Sequence, residues 1–305
     1  MVTWDDHEVA NDTYNLGAEN HSPDTEGDYI ARRDAAIQAY LEWLPVRATT
    51  FSEGGHLYRS FQYGTLADIT MLDLRTYRDK APEFVNIGDT DDQGRTMLGS
   101  EQMNFLHNQW STSSATWNLV GNSVMFTPVL IPPLDPQTSG AITELLGLPQ
   151  DGVPYNSDQW DGYAHERRRL IQMMSDQGLD NVVFLTGDIH SSWACNVPTT
   201  PGRYPADGIA AAEIVCTSVS ASNIDDIVKL PQRNAISQTA EQALMAANRY
   251  VKWIEFDHHG YVNVQVRADE IIAEYRFVED KTIPDQPLYT PAVYRVKRGE
   301  GVSPA

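Results

Sequence analysis

The stretch Asn181-Val182-Val183-Phe184-Leu185-Thr186-Gly187-Asp188-Ile189-His190 sets a short, continuous apolar run directly against a glycine, an aspartate and a histidine. A run this short, apolar at successive positions, reads as a strand over 181–186 that is covered on both faces. Strands of that kind belong to α/β folds, where functional groups gather at the strand ends. The period-two geometry of an extended chain aims Asp188 and His190 the same way. Carboxylate plus imidazole is a mixed oxygen and nitrogen donor set that suits iron, zinc or manganese, and the carboxylate can bridge to a harder ion. The plainer alternative is a histidine satisfied beside a strand-ending turn.

The flanking sequence supports the α/β assignment. A helical spacing over 161–177 precedes the strand, and further strands are expected at 117–126 and 213–219. Earlier, Ile30, Ile37, Tyr40, Leu41 and Leu44 recur at helical spacing, so 28–44 reads as an amphipathic helix stopped by Pro45. Residues 57–63 and 67–74 read as two strands joined through Gly64, and 102–110 and 238–247 as helices. The interval 127–160 holds six prolines (Pro128, Pro132, Pro133, Pro136, Pro149 and Pro154) and reads as a lid or rim over a site. Three alternating runs, 250–256, 261–266 and 271–277, read as an antiparallel meander. These segments read as one domain over 1–280, followed by an extended tail over 281–305. Residues 1–4 are strand-like and reach charged residues at once, which reads as a start inside a domain.

Charge and composition narrow the function classes. The 305 residues include 22 Lys plus Arg against 42 Asp plus Glu, a net charge of −20, which argues against a surface that tracks a nucleic-acid backbone. The surplus carboxylates keep the protein soluble, and some could surround hard cations, which take oxygen ligands. Cys195 and Cys216 are too few for a disulfide framework or a four-cysteine zinc site. No run of about 18 apolar residues is present, and no basic-then-apolar leader opens the chain.

A second acidic stretch lies far from the first. Trp4-Asp5-Asp6-His7-Glu8 ends a short apolar segment with four consecutive ionisable residues. Adjacent carboxylates repel unless a cation or shared proton relieves them, so the cluster invites a metal; the alternative is a solvated turn. Glu213, next to Ile214-Val215-Cys216, needs a cation, an arginine or a proton if it is buried. Arg75 and the run Arg167-Arg168-Arg169 could grip phosphate, although arginines on helix surfaces are the commoner reading. The chain lacks a phosphate-binding glycine loop with Lys-Ser or Lys-Thr, a Gly-x-Ser-x-Gly elbow and a His-Glu-x-x-His helix. A metal-centred reaction remains.

The residues in these segments resemble the PhoD-type alkaline phosphatases of the metallophosphatase group. The resemblance runs through Trp4-Asp5-Asp6-His7-Glu8-Val9, Ala39-Tyr40-Leu41-Glu42-Trp43-Leu44-Pro45-Val46-Arg47, Leu57-Tyr58-Arg59-Ser60-Phe61, Leu72-Asp73-Leu74-Arg75-Thr76-Tyr77-Arg78, Trp160-Asp161-Gly162-Tyr163 and Phe184 through Trp193, in the family's order. It implies a two-sheet sandwich flanked by helices, a centre of Fe3+ and Ca2+, and hydrolysis of phosphate monoesters and diesters by secreted or periplasmic proteins. Carried onto this sequence, Asp6, Asp188 and His190 are the expected metal ligands, with Asp5 and Glu213 as further candidates. His7 is the expected proton donor to the leaving group, and Arg75 the expected stabiliser of developing charge. In the family an earlier segment supplies the first aspartates, a cysteine and a tyrosine. None precedes Trp4 here, so the chain reads as a carboxy-terminal portion, with Asn11, Asp12, Asn122, Glu213 and Asp225 as possible replacement ligands. The alternatives are diesterase or phospholipase-type chemistry on the same centre, and a non-catalytic fragment that binds cations weakly.

Overall fold

A computed structural model describes residues 1–305 and shows a mixed α/β chain built on two sheets. The strands of the larger sheet are β1 (Arg59–Tyr63), β2 (Ala67–Met71), β3 (Trp117–Asn122), β4 (Val182–Thr186), β5 (Ser192–Pro198), β6 (Ile209–Val215) and β7 (Val251–Glu255). Their spatial order is β1-β2-β3-β4-β6-β5-β7. The central strands β2, β3, β4 and β6 are mutually parallel, while β1, β5 and β7 join antiparallel. The smaller sheet contains β8 (His259–Val266), β9 (Ile271–Val278), β10 (Tyr289–Lys297) and β11 (Gly301–Pro304), antiparallel and in sequence order.

The continuous apolar run at 182–185 is explained by burial on both faces. Val183 points into the core between the sheets, with Trp117, Leu119, Ile214, Ala273, Tyr275 and Phe277. Its neighbours Val182 and Phe184 point the other way, into a core shared with Leu106, Trp110, Leu170 and Met174. Those last four come from helices α3 (Gly99–Thr112) and α5 (Ala164–Asp176). The remaining helices are α1 (Pro23–Glu26), α2 (Tyr29–Trp43), α4 (Pro136–Leu146), α6 (Ile224–Val228) and α7 (Ala235–Ala247). The helix expected over 28–44 forms as α2: the Asp28 carboxylate caps the Ala31 N–H, and Tyr29, Ile37 and Tyr40 are buried against Trp4. Among the described residues no helix is long and apolar enough to cross a membrane.

Several boundaries differ from the sequence reading. Residues 281–305 are not an extended tail: β10 and β11 bury Tyr294, Val296 and Val302 in the inter-sheet core. Their buried positions alternate with charged ones beside prolines, so the segment reads as polar until a partner strand is present. The run at 250–256 alternates like its successors, yet β7 pairs with β5 in the larger sheet, and the meander is β8 to β11. Alternation marks a strand but does not choose its neighbour. The strand expected at 117–126 stops at Asn122, and the one expected at 213–219 is shifted to β6. Strand β5 was not anticipated, and residues 1–4 form no strand. The proline-rich interval contains α4, whose Pro136 stands in the first turn, where its missing N–H costs nothing, after the capping residue Asp135.

Candidate metal centre

The parallel strands end along one edge of the larger sheet, and the two acidic segments meet there. After β2 the chain enters Leu72-Asp73-Leu74-Arg75. Buried Asp73 accepts hydrogen bonds from the backbone N–H groups of Arg75 and Thr76 and from Trp4 Nε1, at 3.0–3.2 Å. Thr3 Oγ1 donates to Leu72 O at 2.8 Å. These bonds lash residues 3–4 across the end of β2 and carry Asp5 and Asp6 over it. A tight turn follows, in which Val9 and Ala10 N–H both donate to Asp6 O, and Asp12 N–H donates to Asp6 Oδ2 at 2.8 Å.

After β4 the strand geometry ends at Thr186, so the period-two expectation does not govern Asp188 and His190. Both adopt left-handed backbone conformations, with φ of 66° and 52°. Such conformations are uncommon for non-glycine residues, although aspartate and histidine adopt them more readily than most. The resulting loop brings Asp188 beside Asp5 and Asp6, and ligand oxygens of the three lie within 4.8 Å of one another. They stand in a cavity of about 360 Å³ whose wall also includes His7, Asp12, Asn156, Asp158, His190 and Ile227.

Arg75 lies beneath this cluster, wholly buried. Its Nε donates to Asp5 Oδ1 at 2.6 Å, Nη1 to Asp158 Oδ2 at 2.9 Å and Nη2 to Asp188 Oδ1 at 2.7 Å. Asp6 Oδ1 is 4.0 Å from Nη2. The expected phosphate-facing guanidinium is therefore taken up by aspartates and has no solvent face. Burial opposes its charge, but the surrounding carboxylates outweigh that and raise its pKa well above the ordinary arginine value. Asp158 bridges Arg75 to Arg78, whose Nη2 lies 2.6 Å from Asp158 Oδ1. Asp5 and Asp188 divide their charge unequally. Burial pushes Asp188 well above the usual carboxylate range, while at Asp5 burial is overcome by Arg75, which holds that carboxyl below it.

His190 lines the same cavity, and its Nδ1 lies 2.6 Å from Ser222 O. A carbonyl only accepts, so Nδ1 carries the hydrogen and the lone pair of the neutral ring resides on Nε2. His7 is mostly exposed, with Nε2 3.8 Å from Asp6 Oδ2.

Two sequence candidates fall elsewhere. Glu213 is fully buried on the helix-covered face of β6. It accepts from Phe126 N at 2.8 Å, Thr127 N at 2.6 Å and Thr186 Oγ1 at 2.6 Å, so donors satisfy it without a cation or an arginine. In the Arg167-Arg168-Arg169 run, buried Arg167 pairs with Asp161 and Asp151, Arg168 pairs with Asp91 and Asp151, and Arg169 is exposed. Sequence reasoning missed Asp158 and Gln159, whose Nε2 donates to Asp188 Oδ2 at 2.5 Å. Both immediately precede the Trp160-Asp161-Gly162-Tyr163 motif, the signal that could have drawn attention to them.

The same order of segments recurs in known proteins. The PhoD-like phosphatase family matches residues 1–275. This chain belongs to that family. It is 32% identical over 300 residues to alkaline phosphatase D of Bacillus subtilis (strain 168), covering 96% of this chain and 46% of the relative. A solved structure described as the structure of PhoD superposes with a TM-score of 0.81 at 29% identity, over 99% of this chain and 54% of the other. The two-sheet architecture expected from the sequence is thus the PhoD architecture, and the chain spans about half the length of the relatives it matches.

Proposed function

We propose that the chain carries the working edge of a metal-dependent phosphoesterase that hydrolyses phosphate monoesters. The observation that supports this most is the convergence of Asp5, Asp6 and Asp188 from distant segments, their oxygens within 4.8 Å, in an open cavity at the ends of parallel strands. The donor chemistry fits the ions that the resemblance implies. Clustered carboxylate oxygens suit Ca2+, and carboxylate joined by the Nε2 lone pair of His190 suits iron. Asp5, Asp6, Asp188 and His190 would hold the ions. Bound cations supply Lewis acidity toward phosphoryl oxygens and activate water as a nucleophile.

The chain's own residues do the rest. Arg75 keeps the aspartates gathered against their mutual repulsion, so the cluster is formed before a cation arrives. His7, exposed at the rim beside Asp6, donates a proton to the departing alkoxide. Ile224 and Ile227 form an apolar wall against which the alcohol portion rests.

Diester hydrolysis is a second reading, favoured by an adjoining cavity of about 500 Å³ that shares Asp12, Asn156 and Asp158 with the first and has room for another ester substituent. An exported setting follows from the resemblance. The test compares p-nitrophenyl phosphate with its bis-ester, with and without added Ca2+ and iron, for wild type, Asp6→Asn and Asp188→Asn. Cation-dependent turnover abolished in both variants supports the proposal. A chain that binds neither ion and hydrolyses neither ester is the non-catalytic alternative, and the proposal fails.

A further inference from the structure

We propose that His259 is a positioning residue for His190, acting through the adjacent backbone carbonyls of Ala221 and Ser222. The inference rests on the phosphoesterase reading only in giving His190 a cation to hold. The hydrogen bond from His190 Nδ1 to Ser222 O fixes which ring nitrogen presents a lone pair, and it is no better placed than Ser222 itself. Ala221 and Ser222 are both exposed, in the irregular segment between β6 and α6, so apolar packing does not hold them.

Hydrogen bonds do. His259 Nε2 lies 2.7 Å from Ala221 O, and because that carbonyl can only accept, Nε2 is the donor. Ser218 Oγ donates to the same carbonyl at 2.9 Å. Beneath them Asn223 Nδ2 reaches Thr217 Oγ1, Asp257 O and His258 O at 3.0–3.2 Å. His259 opens β8, pairs with Val278 of β9 and is 1% exposed, so its ring is fixed by the smaller sheet. Lys281 Nζ, which pairs with Asp226 Oδ2, also lies 3.2 Å from His259 Nε2, a contact between two donors that adds no hydrogen bond, and His259 Nδ1 has no partner, so the bond to Ala221 O is the one the ring makes. A rigid imidazole in one sheet thus holds one carbonyl of an exposed loop, and the next carbonyl sets the tautomer of an imidazole at the centre of the other.

The test uses 15N-histidine-labelled chain, three substitutions at His259 and one at His190. Long-range 15N correlation spectra report the tautomer of His190 without any cation, and calorimetric titration with Mn2+ alone reports affinity. His259→Phe keeps a ring but removes the donor. It is expected to turn the single Nδ1–H form of His190 into a mixture and to weaken Mn2+ binding by about 10-fold, the low end for groups that orient a ligand. His259→Gln, whose amide can reach Ala221 O, restores both, whereas His259→Asn is too short and does not. A folded His259→Phe with the Nδ1–H form intact overturns the proposal. If that variant does not fold, equal tautomer populations in the Gln and Asn variants overturn it. Unchanged Mn2+ affinity in His190→Ala would instead sink the reading of His190 as a ligand, and the tautomer result would still decide the positioning role.

Discussion

Replacing Arg75 with methionine removes the buried charge that holds the aspartate cluster while leaving comparable apolar bulk. Arg75 has 0% side-chain exposure and bonds to Asp5, Asp158 and Asp188 at 2.6–2.9 Å. Breaking one partner of a buried ion network costs about 3–5 kcal/mol, because the remaining charges stay buried and uncompensated. Asp158 retains Arg78, so a value near the middle, about 4 kcal/mol, is expected. With an unfolding entropy of roughly 2 cal/mol/K per residue, 305 residues give a midpoint loss of about 6 °C. Arg298→Met is the control, since its pair with Asp180 is about half exposed and is expected to shift the midpoint by under about 1 °C. The assay is calorimetric melting in chelator, repeated with saturating Ca2+ or Mn2+. A cation at the cluster supplies the missing positive charge, so the deficit of the Arg75 variant should shrink when it is added. A variant that melts within about 1 °C of wild type in chelator, or a deficit that cations leave untouched, would refute the claim that Arg75 neutralises a cation-ready cluster.

Asp6→Asn and Asp188→Asn should each lower bound Ca2+ or Mn2+, measured by elemental analysis after dialysis, by at least about 10-fold, whereas Asp180→Asn should not; equal metal content across all three would show that the cluster is not the binding site. Glu213→Gln offers one acceptor oxygen where the carboxylate offers two to its three donors, so it should destabilise the chain by about 1–3 kcal/mol. Burial raises the Glu213 pKa above the ordinary glutamate value of 4.5, and the folded state then holds the proton more tightly than the unfolded chain. That contribution is complete below 4.5 and is lost as pH rises through the folded value, so the deficit of the Gln variant should be larger near about pH 5 than near about pH 8 in urea titrations; a deficit that grows with pH would reverse the sign. Deleting residues 287–305 strips Tyr294, Val296 and Val302 from the inter-sheet core and should abolish cooperative melting; a sharp transition at the wild-type midpoint would show the segment to be dispensable.

Much of the candidate centre was legible before any fold was known, because the residues that meet there are concentrated in short runs. Four consecutive ionisable residues at Asp5 to Glu8, and an apolar strand ending in Gly187-Asp188-Ile189-His190, announce strained electrostatics through local composition alone. The doubly buried β4 was legible for a similar reason: an unbroken Val182-Val183-Phe184-Leu185 run has no solvent-facing period. The β10 and β11 strands were not, since their buried residues are interleaved with charged and proline positions whose tolerance depends on a partner strand.

By itself, then, the amino-acid order determined which residues could carry charge into a site, where the chain had to be buried on both faces, and which family pattern the segments follow. Only the tertiary structure decided partnership. Arg75 turned out to face three aspartates, Glu213 to be met by two backbone N–H groups and a hydroxyl, and β7 to join β5, because each outcome depends on elements tens to more than a hundred residues away. The left-handed turns at Asp188 and His190 belong to the same class. Nothing in a four-residue motif requires them, and in the fold Arg75, Gln159 and Ser222, brought in by packing, bond the side chains in that pose.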